Sequence, residues 1–386
     1  MLLNGEDSLL VMADLTISKK NEVYLKVDCE PHIKYELADR FSFDVEGAKF
    51  MPQYRNKYWD GKIKLFNLNK GEIYAGLIHR IQTFCEEYDY SFEFENSKFF
   101  GLPYEENDMV SYEGVKEYIN KITNFKPRDY QIEGIYDALR CNRRLIVSPT
   151  GSGKSLMIYA LSRYHAEQNK KVLIVVPTTS LVEQMYKDFY EYGWDVKTNC
   201  HRIYAGKDLF SKAPVIISTW QSLYKQDKKW FRNFSCVIGD EAHQFKSKSL
   251  MSIMTKLDGA KYRYGFTGTL DGSQTHKWVL EGLFGSSYKI VNTKNLQEAG
   301  YLAKLNIKVL ILKHDPQEFE VYEDEIKYLI SHERRNKFIK NLVHDLKGNT
   351  LVLYSRVATH GQVLFDLLNT NSKRVFFVHG LSLIHI

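Results

Sequence analysis

Residues 148–155 read Ser-Pro-Thr-Gly-Ser-Gly-Lys-Ser and follow directly on the apolar triplet Leu145, Ile146 and Val147. A buried strand that runs through such a string into a helix is built to cradle phosphate. Gly151 and Gly153 let main-chain N–H groups approach an anion, Lys154 reaches the terminal phosphates, and the Ser155 hydroxyl offers an oxygen to Mg2+. Thr150 and Ser152 fill the loop, and Ser148 stands where the strict pattern has glycine. Further along, Val237 and Ile238 lead into Asp240, Glu241, Ala242 and His243. Two carboxylates at the end of a buried strand suit Asp240 to hold the metal and Glu241 to orient an attacking water. Either string alone also occurs in ordinary turns. The two together, each at the end of an apolar run, imply a chain that hydrolyses nucleotide.

Composition sets bounds on the rest. With 386 residues, 44% of them hydrophobic and 26% charged, the chain has room for about two to three soluble domains. No stretch approaches the ~18 apolar residues of a membrane span, and the first residues lack a basic leader, so a cytoplasmic protein is expected. Cys29, Cys85, Cys141, Cys200 and Cys236 lie far apart without metal-ligand spacing and read as buried free thiols. The net charge of +6 is uneven. Residues 1–110 hold 13 Lys and Arg against 20 Asp and Glu, which leaves 40 against 27 in the remainder. That larger part suits a polyanionic partner.

Residues 1–100 read as a small α+β module. Its expected elements are a strand over 22–29, a helix over 33–39, a hairpin with arms 62–67 and 72–77, a helix over 77–88 and a strand over 91–95. Residues 101–124 form a linker and a helix, the pattern lapsing over 96–110 before Ser111 caps a helix ending near Ile122. From 125 to 290, helices alternate with continuously apolar strands. This is the pattern of a doubly wound parallel sheet with nucleotide at its C-terminal edge. From 291 to 386 a second alternation begins, with strands expected at 307–312, 350–355 and 374–380, a long helix over 318–346 and a shorter one over 361–369.

The segments Pro127-Arg128-Asp129-Tyr130-Gln131, 177–184 (Pro-Thr-Thr-Ser-Leu-Val-Glu-Gln), 218–223 (Ser-Thr-Trp-Gln-Ser-Leu), Thr267-Gly268-Thr269 and 351–361 surround the two nucleotide strings in a fixed order. In that order the chain resembles the superfamily 2 DEAH-box-type helicases and translocases. Residues 50–67 and 76–90 are similar to the N-terminal module of the UvsW-like phage recombination helicases. The resemblance implies an α/β fold: a RecA-like P-loop NTPase domain, a second partial RecA-like lobe and the small N-terminal domain. It also implies ATP-dependent remodelling of D-loops, R-loops, junctions and stalled forks in recombination, repair and replication. ATP and Mg2+ are the implied cofactors. Branched or single-stranded DNA and RNA–DNA hybrids are the implied partners of a monomer in the host cytoplasm.

Residue by residue, the resemblance assigns Gln131 to the adenine edge and Thr150, Gly151, Ser152, Gly153, Lys154 and Ser155 to ATP. Ser155 and Asp240 fall to the metal, and Lys154, Asp240, Glu241 and His243 to catalysis. Thr267 and Thr269 couple hydrolysis to DNA grip. Thr178, Thr179, Ser218, Thr219 and Gln221 touch a DNA backbone. In the N-terminal module Arg55, Lys57 and Trp59 lie where cations interleave with aromatics, a pattern that suits phosphate contact beside base stacking.

The second lobe is short for a complete parallel domain, and its glycine- and arginine-containing later motifs do not occur, so a truncated reading frame is expected. Two other readings stay open at the level of sequence. One is the motor subunit of a DNA restriction system; the other is a chain that holds ATP and DNA without turnover.

Overall fold

Leu15 and Ile17, then Leu25 and Val27, are buried while their neighbours are not, the period-2 signature of half-buried strands. They belong to β1 (Leu15–Lys19) and β2 (Tyr24–Cys29), which pair antiparallel. The computed structural model describes residues 13–45, 47–95, 110–204, 206, 208–270, 272–315, 317–369 and 374–379. These fall into two units, Met1–Lys304 and Leu305–Ile386. The expected linker over 96–109 and the final residues 380–386 lie outside the described residues.

In the N-terminal module, β3 (Ser42–Asp44), β4 (Lys62–Lys64), β5 (Phe66–Asn67), β6 (Glu72–Tyr74) and β7 (Phe92–Phe94) follow β1 and β2. The main sheet has the order β5-β6-β2-β1-β7, with β7 parallel to β1. Helices Pro31–Arg40 and Ile78–Tyr88 accompany it, the latter burying Ile78, Ile81, Phe84 and Cys85 along one stripe. The hairpin expected over 62–67 and 72–77 forms only in its second half. Lys62–Lys64 pair with β3, and only Phe66 and Asn67 pair with β6. Leu65 and Phe66 are consecutive and both buried, which one regular strand with alternating faces cannot provide, so the run divides between two partners.

The second sheet is fully parallel. It contains β8 (Arg143–Val147), β9 (Val172–Val176), β10 (Cys200–Ile203), β11 (Val215–Thr219), β12 (Cys236–Gly239), β13 (Tyr262–Thr267) and β14 (Ser287–Lys289). Their order is β10-β11-β9-β12-β13-β8-β14. Every residue of β9, β11 and β12 is buried, as a strand covered on both faces requires. Ser111 caps helix Tyr112–Ile122 by accepting from Gly114 N–H, as its sequence position predicts.

The two sheets share one unit because the module is keyed onto helix Gln274–Phe284 and β8. The Trp278 ring packs against Phe41 and Phe43 and lies beneath the Arg80 guanidinium. Arg80 donates two hydrogen bonds to Oε2 of Glu281 at 2.9 and 3.1 Å. Arg143 Nη2 donates to the Glu22 carboxylate at 2.7 Å and to the Glu22 carbonyl at 3.0 Å. At Gly76 a Cβ would lie 2.0 Å from the Glu281 carbonyl oxygen, so only glycine permits this approach.

The second unit holds helices Tyr322–Ser331, Glu333–Asp345 and Gln362–Leu368. The long helix expected over 318–346 is interrupted at His332, whose extended backbone and side chain cap the helix that follows. None of the three expected strands carries a ladder among the described residues. Leu305, Ile307, Leu351 and Phe376 are well exposed. Apolar runs favour burial, but a strand also needs a neighbour in register. Here Tyr354 and Phe377 meet by ring stacking, and the Tyr354 hydroxyl donates to the Val378 carbonyl.

Candidate nucleotide and DNA site

Parallel strands deliver their C-terminal ends to one edge of the sheet. Along this edge, β8 gives the phosphate loop, β13 gives Thr267, β12 gives Asp240, β9 gives Thr178 and β11 gives Thr219. Nucleotide-type residues therefore occupy one half of the edge and the expected DNA residues the other. Thr267, with His243 hydrogen-bonded to it, lies inside the nucleotide half, between the phosphate loop and Asp240.

Gly151 and Gly153 both adopt φ of +80°, left-handed backbone that turns the loop into helix Lys154–Glu167. The Ser148 N–H donates to the Thr267 carbonyl at 2.8 Å, which ties the loop to the neighbouring strand end. Lys154 Nζ donates to the Ser148 carbonyl at 3.3 Å, and the buried hydroxyls of Ser148 and Ser152 hydrogen-bond to each other. Thr150 and Gly151 are exposed. The Ser155 hydroxyl lies beside Asp188 and Tyr192.

Asp240 is only 9% exposed. Burial, the largest influence, lifts its carboxyl to about 6, while the Glu241 N–H and the positive charge of Lys154 act in the opposite direction. Its Oδ1 accepts from the Glu241 N–H at 2.9 Å. A desolvated carboxylate with one main-chain donor and a nearby ammonium fits a divalent cation. The described residues hold no cluster of three or more His, Cys, Asp or Glu able to bind a metal.

Glu241 adopts φ of +50°, and this turn sends the chain into the short helix Ala242–Lys246 that carries His243. The Thr267 hydroxyl donates to the Thr269 carbonyl at 2.8 Å and accepts from His243 Nδ1 at 3.1 Å. With the hydroxyl proton committed to Thr269, His243 must carry its own proton on Nδ1. The Thr269 side chain itself is exposed.

Gln131 does not present a free amide. Its Oε1 accepts from the Arg128 N–H at 2.8 Å, and its Nε2 donates to the Ser152 carbonyl at 2.9 Å. A Cβ at Gly153 would lie 2.3 Å from that Nε2. The side chain thus caps its own helix and braces the phosphate loop, and reading an adenine edge would require these bonds to be exchanged. Tyr130 reinforces the brace by donating to the Ser152 carbonyl at 2.9 Å while accepting from Arg128 Nη1 at 2.6 Å.

On the other half of the edge, Thr178, Thr179 and Gln221 are exposed, and Gln221 Nε2 donates to the Pro177 carbonyl at 3.3 Å. Ser218 and Thr219 depart from expectation. Both are buried, the Ser218 hydroxyl donating to the Ile203 carbonyl and the Thr219 hydroxyl bonding that of Ser222. They end a strand covered on both faces. In the N-terminal module, Lys49, Tyr54, Arg55, Lys57, Tyr58 and Trp59 line an open groove of about 840 Å³. Trp59 is held there by donating Nε1–H to the Lys62 carbonyl at 2.8 Å.

Arg128 and Leu302 also touch the loop, and Tyr301 stacks on Arg128; none of the three is a site residue in the sequence reading. Arg128 was visible inside its motif. Tyr301 and Leu302 had no local signal, because their contacts with Arg128 and Gly151 span far too much chain for any spacing rule.

Residues 124–272 match the family described as type III restriction enzyme, res subunit, and residues 14–95 match the family described as DNA helicase UvsW, N-terminal. The chain is 31% identical to the ATP-dependent DNA helicase uvsW of Enterobacteria phage T4, over 95% of its own length and 75% of that protein's. It is 32% identical to the DNA 3'-5' translocase XPB2 of Sulfurisphaera tokodaii, over 51% of its length and 42% of that protein's. A crystal structure of the UvsW helicase from bacteriophage T4 superposes with a TM-score of 0.64 at 31% identity, covering 72% of this chain and 99% of that one. Another crystal structure of T4 UvsW gives 0.65 at 28% identity, covering 95% and 75%. The chain belongs to the UvsW family of superfamily 2 helicases, enzymes that hydrolyse ATP and act on DNA.

Proposed function

We propose that this protein uses ATP hydrolysis to remodel branched DNA, taking D-loops, R-loops, junctions and stalled forks as substrates in recombination, repair and replication. The observation that carries the reading is the shared sheet edge, on which the phosphate loop and the Asp240–Glu241 pair lie either side of the strand bearing Thr267. Gly151 and Gly153 open main-chain donors to the phosphates, and Lys154 adds a positive charge at the terminal one. Ser155 and Asp240 would hold Mg2+, which when bound spreads the charge of the β- and γ-phosphates. Glu241 orients the water that attacks in line.

The hydrogen bonds from His243 to Thr267 and from Thr267 to Thr269 tie the ends of β12 and β13 together, and through this tie hydrolysis is coupled to DNA grip. On the other half of the edge, Thr178, Thr179 and Gln221 contact a strand backbone, with the groove at Arg55, Lys57 and Trp59 as a second contact for single strands or branch points. The protein acts as a monomer on DNA and on RNA–DNA hybrids.

The restriction-motor reading draws on the match over residues 124–272, which covers the ATP-binding region alone. The match over residues 14–95 favours a DNA helicase of the UvsW type over a restriction motor. ATP hydrolysis measured with and without forked DNA tests the proposal. Lys154→Ala should remove the DNA-stimulated rate, and an unchanged rate would refute the assignment of the phosphate loop.

A further inference from the structure

Helix Thr293–Glu298 ends in a tight turn, beyond which lie Tyr301 and Leu302, immediately before the boundary between the two units. Gly300 has φ of +73°. Its N–H donates to the Gln297 carbonyl, and the Tyr301 N–H donates to the Leu296 carbonyl at 2.8 Å. This double closure around a left-handed glycine is the Schellman cap, which fixes the direction of the residues after it. Leu296 is fully buried and anchors the turn.

What the cap presents is aimed at the phosphate loop. Leu302 packs against Gly151, where a Cβ would lie 2.5 Å from Leu302 Cδ2. The Tyr301 ring lies with its centroid 4.0 Å from the Arg128 guanidinium carbon. Arg128 in turn points Nη1 at the Gly151 carbonyl, 3.4 Å away, and at the Tyr130 hydroxyl. The ring is half exposed, with 51% of the residue open, although its partner is pinned to the loop. A rigidly held aromatic that is stacked on one side, open on the other and next to a phosphate cradle offers a platform for a planar base.

We infer that Tyr301 is a nucleotide-binding residue: it stacks on the base of the bound nucleoside triphosphate while Arg128 supports the ring from behind. The inference rests on the reading of residues 150–155 as the ATP site. It assigns base recognition to a ring outside the Gln131 motif, whose amide is already engaged by the loop and by its own helix.

Calorimetric titration of the full chain with Mg·ATP and, separately, with Mg·tripolyphosphate tests it. Tyr301→Ala should weaken ATP binding about tenfold, the usual scale for losing one base–aromatic stack, and leave tripolyphosphate affinity unchanged. Tyr301→Phe should bind ATP as the native chain does, since the ring and not the hydroxyl carries the contact. Unchanged or tighter ATP binding in Tyr301→Ala overturns the inference, and so does a parallel loss of tripolyphosphate affinity, because the ring would then be bracing the loop. Lys154→Ala separates the two levels. If it leaves both ligands' affinities intact, the ATP-site reading falls, and the inference with it. If it weakens both while Tyr301→Ala weakens neither, only the inference falls.

Discussion

At the scale of single residues, the site depends on conformations that few side chains tolerate. Gly153 combines a left-handed backbone with a contact so close that any Cβ would enter the Gln131 amide. An L-residue forced into that region costs ~1–2 kcal/mol before the clash is counted. Gly153→Ala should therefore lower ATP affinity by roughly 5- to 30-fold, measured by titration, while circular dichroism shows the fold retained. Native affinity in that variant would mean that the loop does not need its observed shape. Asp240 illustrates a second residue-scale rule. Its carboxyl is pushed up because burial removes water faster than Lys154 and one N–H replace it, a condition suited to gaining a cation.

At the scale of elements, the seam between the N-terminal module and helix Gln274–Phe284 is polar at its centre and apolar around it. The Glu281 side chain is almost fully buried. Burial alone would raise its carboxyl, but the His79 ring 3.4 Å away, hydrogen bonds from Ser287 and the charge of Arg80 outweigh it and hold the group at about 2. Folded Glu281 thus binds its proton more weakly than the unfolded chain does. The stability it contributes is complete above the ordinary 4.5 and is lost as pH falls towards about 2. Glu281→Ala leaves Arg80 without its partner and should destabilise the first unit by about 3–5 kcal/mol at neutral pH. In thermal melts that deficit should shrink between pH 5 and pH 2.5. A deficit independent of pH would place the loss in packing against Trp278 and not in the ion pair.

Little of this seam was legible in the sequence. The phosphate loop and the Asp240–Glu241 string could be read because their chemistry is contiguous and each follows its own apolar strand. Arg80 and Glu281 are 201 residues apart, and neither has a neighbour that hints at the other. Residues 62–67 looked like one strand because local alternation does not reveal that Leu65 and Phe66 face different partners. The burial of Ser218 was not legible, because the sequence does not mark where a buried strand stops. The apolar runs of the second unit were read as strands from hydrophobicity, which reports a tendency to be buried and not the presence of a partner in register.

At the scale of the whole molecule, one edge of a parallel sheet gathers chemistry from five strands whose loops lie far apart in the chain. Along that edge the phosphate loop, Thr267 and Asp240 follow one another on adjacent strands, with Thr178 and Thr219 on the strands beyond Asp240, and the His243–Thr267 hydrogen bond ties two of the strand ends together. The N-terminal module, with its groove at Trp59, shares a unit with this sheet.

The central claim is that Lys154, Asp240 and Glu241 form one centre that turns ATP over under the control of DNA. Steady-state hydrolysis by the native chain and by Glu241→Gln, with and without forked DNA and alongside ATP-binding titrations, tests it most directly. The account predicts a DNA-stimulated rate in the native chain that falls by about 10²-fold or more in Glu241→Gln, with ATP binding retained. Native and variant rates that are equal, or a native chain that binds ATP and forked DNA without hydrolysis, would contradict it.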